Sequence, residues 1–231
     1  MPACSYRGRR AASIETSRVR VTVLVEGGHI AEILDKRTGV NPLWIPGWES
    51  IEPSTYDHAR HELYGDAAAG RLLAGIMGHN LCLDIFGGPS AEECAAGLTA
   101  HGEASVVPYS IETKGAVLVA QADFPLAGLI LARRIELRDA NLRIEETLTN
   151  LSACDRPIAW TQHVSLGAPF LESGTTEFRT SAARSKPLTV ITSLSGAHAK
   201  AAFVPCSRVR PVITISSSPK DWAGVIESIA P

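Results

Sequence analysis

Two of the seven histidines in the chain stand in sequence contexts that suit acid–base chemistry. His101 directly precedes Gly102, and a glycine there lets the backbone bring an imidazole close to a ligand. His163 lies near the end of an expected strand, with Trp160 and Gln162 close in sequence. Because histidine titrates near neutral pH without help, both side chains are candidates for reversible proton transfer. Either histidine taken alone is more often a structural residue with satisfied hydrogen bonds.

The segment 42–75 is rich in aromatic residues and follows neither the helical nor the strand period. Its rings, beginning with Trp44, fall among prolines and glycines, which predicts a long ordered loop. Long loops inside compact domains are commonly functional. Indole and phenol rings can cover the apolar face of a pyranose, so sugar binding is one interpretation. Packing of the rings against the end of the domain carries equal weight.

The elements that would position these residues read mainly as strands. Valine occupies every second position from 19 to 25, and apolar alternation resumes at 29–34 after two glycines, which predicts a hairpin. Three more extended segments follow, with a tight turn at 138–141 between the last two. These segments are residues 116–120, 129–137 and 142–148.

One short helix has a clear start signal. Ser90 followed by Glu93 forms a capping box, and Gly97 ends the turn. Strands otherwise follow strands without a repeated strand–helix alternation, so the sequence predicts an all-β, antiparallel sandwich. We expect a disordered leader at 1–17, a β-sandwich domain at 18–178 and an atypical segment at 179–231.

Composition excludes several classes of protein. The formal net charge of −2 provides no basic field for a polyanion, so no nucleic-acid partner is expected. The longest apolar stretch, at 125–132, is far too short to span a membrane. No secretory signal is recognisable, which predicts a cytoplasmic location. The five cysteines are an odd number without C-x-x-C spacing, which indicates reduced thiols.

Three features together resemble one known family. They are the His101–Gly102 pair, the strand ending at 145–152, and the Gln162–His163 block roughly sixty residues after His101. In order and spacing they are similar to the aldose 1-epimerase (galactose mutarotase) superfamily, and most of all to its aldose 1-epimerase-like group. The resemblance covers about residues 19–178 and implies a galactose mutarotase-like β-supersandwich, incomplete at its C-terminus.

The family interconverts the α and β anomers of a free aldose without a cofactor, by acid–base ring opening. By this resemblance, His163 would protonate the ring oxygen of the monosaccharide, and His101 would position the sugar through a hydrogen bond. No cofactor and no metal are expected. The sugar-contact residues that the resemblance implies are His79, Asn80, Trp160, Gln162 and Trp44.

The sequence departs from the family at its general base, a carboxylate contributed well beyond the second histidine. Glu146 shares strand parity with inward-facing apolar residues, but an ion-paired strand carboxylate is the favoured interpretation. A missing base removes one of two proton transfers, each worth about 10²–10⁴-fold in rate. We therefore expect an aldose 1-epimerase-like protein with a shortened or altered C-terminus and slow or lost catalysis. The alternative is a non-catalytic carbohydrate-binding protein on the same fold.

Two further alternatives concern metals and assembly. His58, His61, His79, His101 and Glu103 are side chains of the types that ligate metals in cupin-like barrels. They lack the compact paired spacing of a strand-borne triad, so this interpretation has low weight. Sheet edges left open at a shortened C-terminus would favour pairing between copies, which makes a homodimer one expected form.

Overall fold

The computed structural model describes residues 4–65, 68–172, 175–176 and 212–216, the last by their backbone. Within these residues the strands form two sheets in which every pair is antiparallel. The all-β, antiparallel class predicted from the sequence is therefore confirmed.

The first sheet has six strands among the described residues, in the order β1-β2-β3-β4-β5-β10. β10 pairs with β5 although about seventy-five residues separate them, so a long connection returns the chain to this sheet. The strands are β1 (Cys4–Tyr6), β2 (Arg9–Glu15), β3 (Val19–Leu24), β4 (Ile30–Asp35), β5 (His79–Leu83) and β10 (Trp160–Val164).

The second sheet has five strands in the order β11-β9-β8-β7-β6. The hairpins β7–β8 and β8–β9 are long and regular, as the apolar alternation of the sequence predicts. The strands are β6 (Ser110–Lys114), β7 (Val117–Phe124), β8 (Leu129–Arg138), β9 (Asn141–Asn150) and β11 (Val212–Ser216).

The main core lies between the two sheets. Val21 of β3, Leu118 of β7 and Leu131 of β8 are completely buried within it. Burying such side chains stabilises the fold by about 1.5–3 kcal/mol each. A second, smaller cluster includes Leu24 and Met77 and lies on the other side of the first sheet. The first sheet is thus covered on both faces.

The prediction of a disordered leader at 1–17 is wrong for the residues of this range that the structure describes. Residues 4–6 and 9–15 form β1 and β2 and pair in the first sheet. Arg9 is 1% exposed, and its guanidinium donates to Glu52, Ser50 and two backbone carbonyl oxygens. Arg9 is therefore a buried, ion-paired residue that ties β2 to the segment after β4.

The segment 42–75 contains more regular structure than the loop predicted for it. Two 3₁₀ helices, Pro53–Thr55 and Glu62–Tyr64, precede α1 (Gly70–Gly75). The short helix predicted from the capping box is α2 (Ala91–Ala95), in which Ser90 and Glu93 make both expected hydrogen bonds. A third 3₁₀ helix, Glu103–Ser105, follows it.

Most of the segment 179–231 lies outside the described residues. Residues 212–216 of this segment form β11, which pairs with β9. None of the helices in the described part of the chain has the length and apolar character needed to cross a membrane.

Candidate functional site

His101 and His163, which the sequence places sixty-two residues apart, meet in the structure. Their ring centroids lie 5.5 Å apart, with an angle of 42° between the ring planes. Both side chains are half-buried, so a small ligand can reach them. The two rings therefore lie close together, and their use as one site stays a prediction.

His163 is positioned by the pairing of β10 with β5. It lies directly across from Asn80, so the two side chains share one face of the first sheet. Its neighbour Gln162 reaches Glu146 on the second sheet, and successive strand residues face opposite sides. His163 therefore faces away from the second sheet, towards the loop that carries His101.

His101 is held in a backbone conformation that few non-glycine residues adopt. Its φ angle is +66°, and Gly102 after it has a φ of +78°. A Cβ atom on Gly102 would lie 2.2 Å from the carbonyl oxygen of Leu83, so only glycine fits there. The amide of Leu83 donates to the His101 carbonyl at 3.2 Å, which ties this loop to the end of β5. Strained residues of this kind cluster at functional sites.

Asn80 presents a buried acceptor beside the histidines. It is 1% exposed, and its amide nitrogen donates to the Ser105 hydroxyl at 3.1 Å. That hydroxyl in turn donates to the Leu81 carbonyl at 2.7 Å. Within the described residues, Asn80 Oδ1 has no hydrogen-bond partner. A buried acceptor without a partner costs free energy unless a water or ligand hydroxyl reaches it.

His79 and Gln162 occupy the opposite face of the same strands. His79 is 3% exposed, and its Nε2 lies 2.6 Å from Gln162 Oε1. The Gln162 amide donates to Glu146, which also forms an ion pair with Arg133. Arg133 donates further to the Gly28 carbonyl at 2.6 Å. The two predicted sugar contacts therefore lie in a polar network between the sheets, on the side away from His163.

Glu146 is accounted for by this network. It is 3% exposed and faces inward, as its strand parity indicates. Both of its carboxylate oxygens accept hydrogen bonds, one from Arg133 and one from Gln162. The interpretation of Glu146 as an ion-paired strand carboxylate is confirmed. Such a carboxylate is poorly suited to take a proton from a sugar hydroxyl.

The two predicted tryptophan contacts differ in position. The backbone of Trp44 pairs with Ser165 at 2.8 Å, two residues beyond His163, and its ring packs edge-on against Trp48. Trp160 packs against the main core, and its Nε1 is buried without a partner in the described chain. Trp44 thus lies near the site, whereas Trp160 supports the strand that carries it.

The other aromatics of segment 42–75 mostly contact one another. The rings of Tyr56, His61 and Tyr64 lie within 6.1–6.4 Å of each other. The Tyr64 hydroxyl donates to the carbonyl of Glu49 at 2.9 Å, and Tyr56 donates to that of Gly65 at 3.1 Å. The sequence left open whether these rings bind a sugar or pack against the domain. For this part of the segment, the contacts favour packing.

One charged pair beside the site gave no signal in the sequence. Arg156 Nη1 donates to both carboxylate oxygens of Asp84, at 2.8 and 3.0 Å. Asp84 follows directly after β5 and has a φ of +70°. Seventy-two residues separate the partners, so sequence spacing does not predict the pair. The ion pair joins the start of β10 to the loop that leads to His101.

Other places in the described chain offer less. No group of three histidine, cysteine, aspartate or glutamate side chains is arranged to hold a metal ion among the described residues. A surface depression of about 360 Å³ lies over β6, β7 and β8, away from the histidines. A second, of about 170 Å³, lies beside Trp48 and Met77.

Two buried histidines should make the stability depend on pH. Burial, reinforced by the charge of Arg133, lowers the pKa of His79 from 6.5 to about 4. Burial and the charge of Arg9 lower the pKa of His29 from 6.5 to about 3. Between these values and 6.5 the unfolded chain binds more protons, so stability is full above pH 6.5 and falls below it.

We expect the free energy of unfolding to fall by about 1.4 kcal/mol per histidine for each pH unit within this window. Urea unfolding between about pH 5 and pH 7 measures it. His79→Gln should reduce the dependence of the free energy of unfolding on pH by the contribution of one proton. Equal slopes for His79→Gln and the parent chain would contradict the assignment.

The comparisons with known proteins concern fold. The chain matches no protein-family profile and no curated protein. It is similar to a galactose mutarotase-like protein from Lactobacillus casei at 12% identity, covering 65% of this chain and 47% of that one, with a TM-score of 0.43. It is also similar to a galactose mutarotase related enzyme from Lactobacillus acidophilus at 12% identity, covering 72% and 51%, with a TM-score of 0.47.

The chain is also similar to the 4-alpha-glucanotransferase from Thermococcus litoralis, at 17% identity, covering 69% of this chain and 25% of that one, with a TM-score of 0.42. The chain spans about half the length of the two Lactobacillus proteins.

Proposed function

We propose that the protein is aldose 1-epimerase-like: it binds a free aldose beside His101 and His163 and interconverts its α and β anomers. The observation that carries the proposal is the juxtaposition of two half-buried imidazoles, 5.5 Å apart, on different chain segments. Strain in the backbone of His101 supports it, because strain is retained where function needs it.

The chemistry fits this pair of residues. Ring opening needs a proton delivered to the ring oxygen and another removed from the anomeric hydroxyl. Both oxygens are bonded to the same sugar carbon, so groups that lie close together can serve both. An imidazole has an unperturbed pKa of about 6.5, which suits a reversible acid such as the one proposed at His163.

The carboxylates near the two histidines are already engaged in ion pairs, which leaves no evident general base among the described residues and limits the expected rate. Glu146 is buried and ion-paired, and Asp84 is bound to Arg156. The anomeric proton would then leave to water or to an added buffer base. We therefore expect slow mutarotation that increases with buffer concentration, since each missing acid–base group costs about 10²–10⁴-fold.

The test follows the anomers of freshly dissolved α-D-glucose and α-D-galactose by proton NMR. The parent chain should accelerate interconversion over buffer, and His163→Asn should abolish that acceleration. His58→Asn is the matched control, because it removes an exposed imidazole away from the pair. Acceleration that survives in His163→Asn would contradict the proposed role of His163.

A non-catalytic carbohydrate-binding protein is the second candidate, favoured by the engagement of Glu146 with Arg133. It predicts saturation transfer from the folded protein to the sugar without any acceleration of interconversion. Folded protein that neither binds nor interconverts these sugars would contradict both candidates.

A further inference from the structure

We propose that His101 is held as the tautomer with its proton on Nε2, so that its neutral ring presents a hydrogen-bond donor, never an acceptor, to the site. The tautomer follows from the fold alone. Its use in binding a sugar oxygen rests on the function proposed above.

His101 makes two reciprocal hydrogen bonds with Gly87, one through its backbone amide and one through its ring. The amide of His101 donates to the Gly87 carbonyl at 3.0 Å, and the amide of Gly87 donates to His101 Nδ1 at 3.3 Å. A backbone N–H can only donate, so Nδ1 must be the unprotonated nitrogen. In a neutral imidazole the other nitrogen then carries the proton.

The surroundings keep this clamp in place. Gly87 has a φ of +100°, and a Cβ atom there would meet nothing within 4 Å, so its backbone conformation and not crowding requires glycine. The ring of Phe86 lies 5.4 Å from that of His101 and covers part of it. The nearby charges of Asp84 and Arg156 are paired with each other.

His163 makes a different contact from His101, and the two imidazoles accordingly have different proposed roles. Its Nδ1 lies 3.4 Å from the Ser165 hydroxyl, which can either donate or accept. This contact therefore does not select one tautomer of His163. A sugar oxygen beside His101 would accept a hydrogen bond from Nε2–H, which positions the sugar while His163 stays the proposed acid at the ring oxygen. His163 remains the residue that gains and loses a proton.

The tautomer can be read directly in ¹⁵N-labelled, full-length protein. A long-range ¹H–¹⁵N correlation spectrum at about pH 8, where unperturbed histidines are neutral, separates protonated from unprotonated ring nitrogens. We expect a protonated Nε2 and an unprotonated Nδ1 for His101, assigned by the signals missing from His101→Gln. A protonated Nδ1, or averaged signals from both tautomers, would overturn the proposal.

His61 provides an internal control for this spectrum. It lies in another part of the fold, and its Nδ1 accepts from the amide of Asp57 at 3.0 Å. The same chemistry must therefore give it the same tautomer. A different result for His61 would show that such amides do not fix histidine tautomers in this protein, and the inference would fall.

The donor role is tested by two variants of equal size. His101→Gln keeps an N–H donor, whereas His101→Glu offers only acceptors, and both carry the same backbone strain. We expect His101→Glu to bind or interconvert the sugar about tenfold less well than His101→Gln. Equal values would overturn the donor role. If the parent chain is inactive, the proposed function fails, and the tautomer spectrum still decides the inference.

Discussion

Replacing Glu146 with leucine should lower the free energy of unfolding by about 3–5 kcal/mol. The substitution leaves the guanidinium of Arg133, which is 1% exposed, without its countercharge between the sheets. The amide of Gln162 loses its acceptor at the same time. A buried charge without a partner is among the most destabilising changes that a single substitution can make.

Urea unfolding at neutral pH, followed by circular dichroism, measures this loss. Glu145→Leu is the matched control, because the neighbouring carboxylate pairs with Arg143 in an exposed position and should contribute less than about 1 kcal/mol. Adding Arg133→Met to Glu146→Leu should recover part of the lost stability, since it removes the unpaired charge. Similar losses for both single variants would contradict this account of the network.

Replacing Gly102 with alanine should destabilise the protein by about 2–4 kcal/mol and displace His101. Gly102 has a φ of +78° and a ψ of −171°, a region essentially restricted to glycine that costs about 1–3 kcal/mol for a residue with a Cβ atom. The added Cβ would also lie 2.2 Å from the carbonyl oxygen of Leu83, a backbone atom that cannot turn aside. The loop must therefore shift, and the ring contact between His101 and His163 would be lost.

Gly115→Ala separates the two causes. Gly115 has a φ of +57° in the hairpin between β6 and β7, and a Cβ atom there meets nothing within 4 Å. It should show only the conformational cost. Unfolding curves of the two variants then give the added cost at Gly102 of its ψ of −171° and of the close approach to Leu83. A Gly102→Ala variant no less stable than Gly115→Ala would contradict the close approach to Leu83.

The sheet architecture was largely readable from the sequence because its signals are local. The valines of β3 and the alternation of β7, β8 and β9 report burial through period 2 alone. The capping box of α2 needs only two residues three apart. Patterns of this kind are short enough that no distant partner is required to interpret them.

The N-terminal strands were missed because their stabilising contacts are remote. Arg9 looks like a solvated basic residue, yet its partners Ser50 and Glu52 lie more than forty residues away. No local pattern distinguishes a buried arginine with a complete set of acceptors from an exposed one. The same holds for Asp84 and Arg156, whose pairing depends on how β5 and β10 meet.

The candidate site could be predicted from the sequence only in part. A resemblance to a known family suggested His101 and His163, and the structure brings these two rings together. Strand parity would have separated Gln162 from His163, because adjacent strand residues face opposite sides. The clamp between Gly87 and His101 could not have been expected, since it depends on loop geometry that the sequence does not encode by spacing.

The network from His79 through Gln162 and Glu146 to Arg133 also limits how this sequence can vary. Each residue of the network pairs with the next through a hydrogen bond or ion pair. Replacing one of them with a residue that cannot do so leaves a buried polar group on its neighbour without a partner. Divergence at these positions must therefore proceed by coordinated exchange or through destabilised intermediates. Homologous chains that change one of these residues should carry compensating changes at the others.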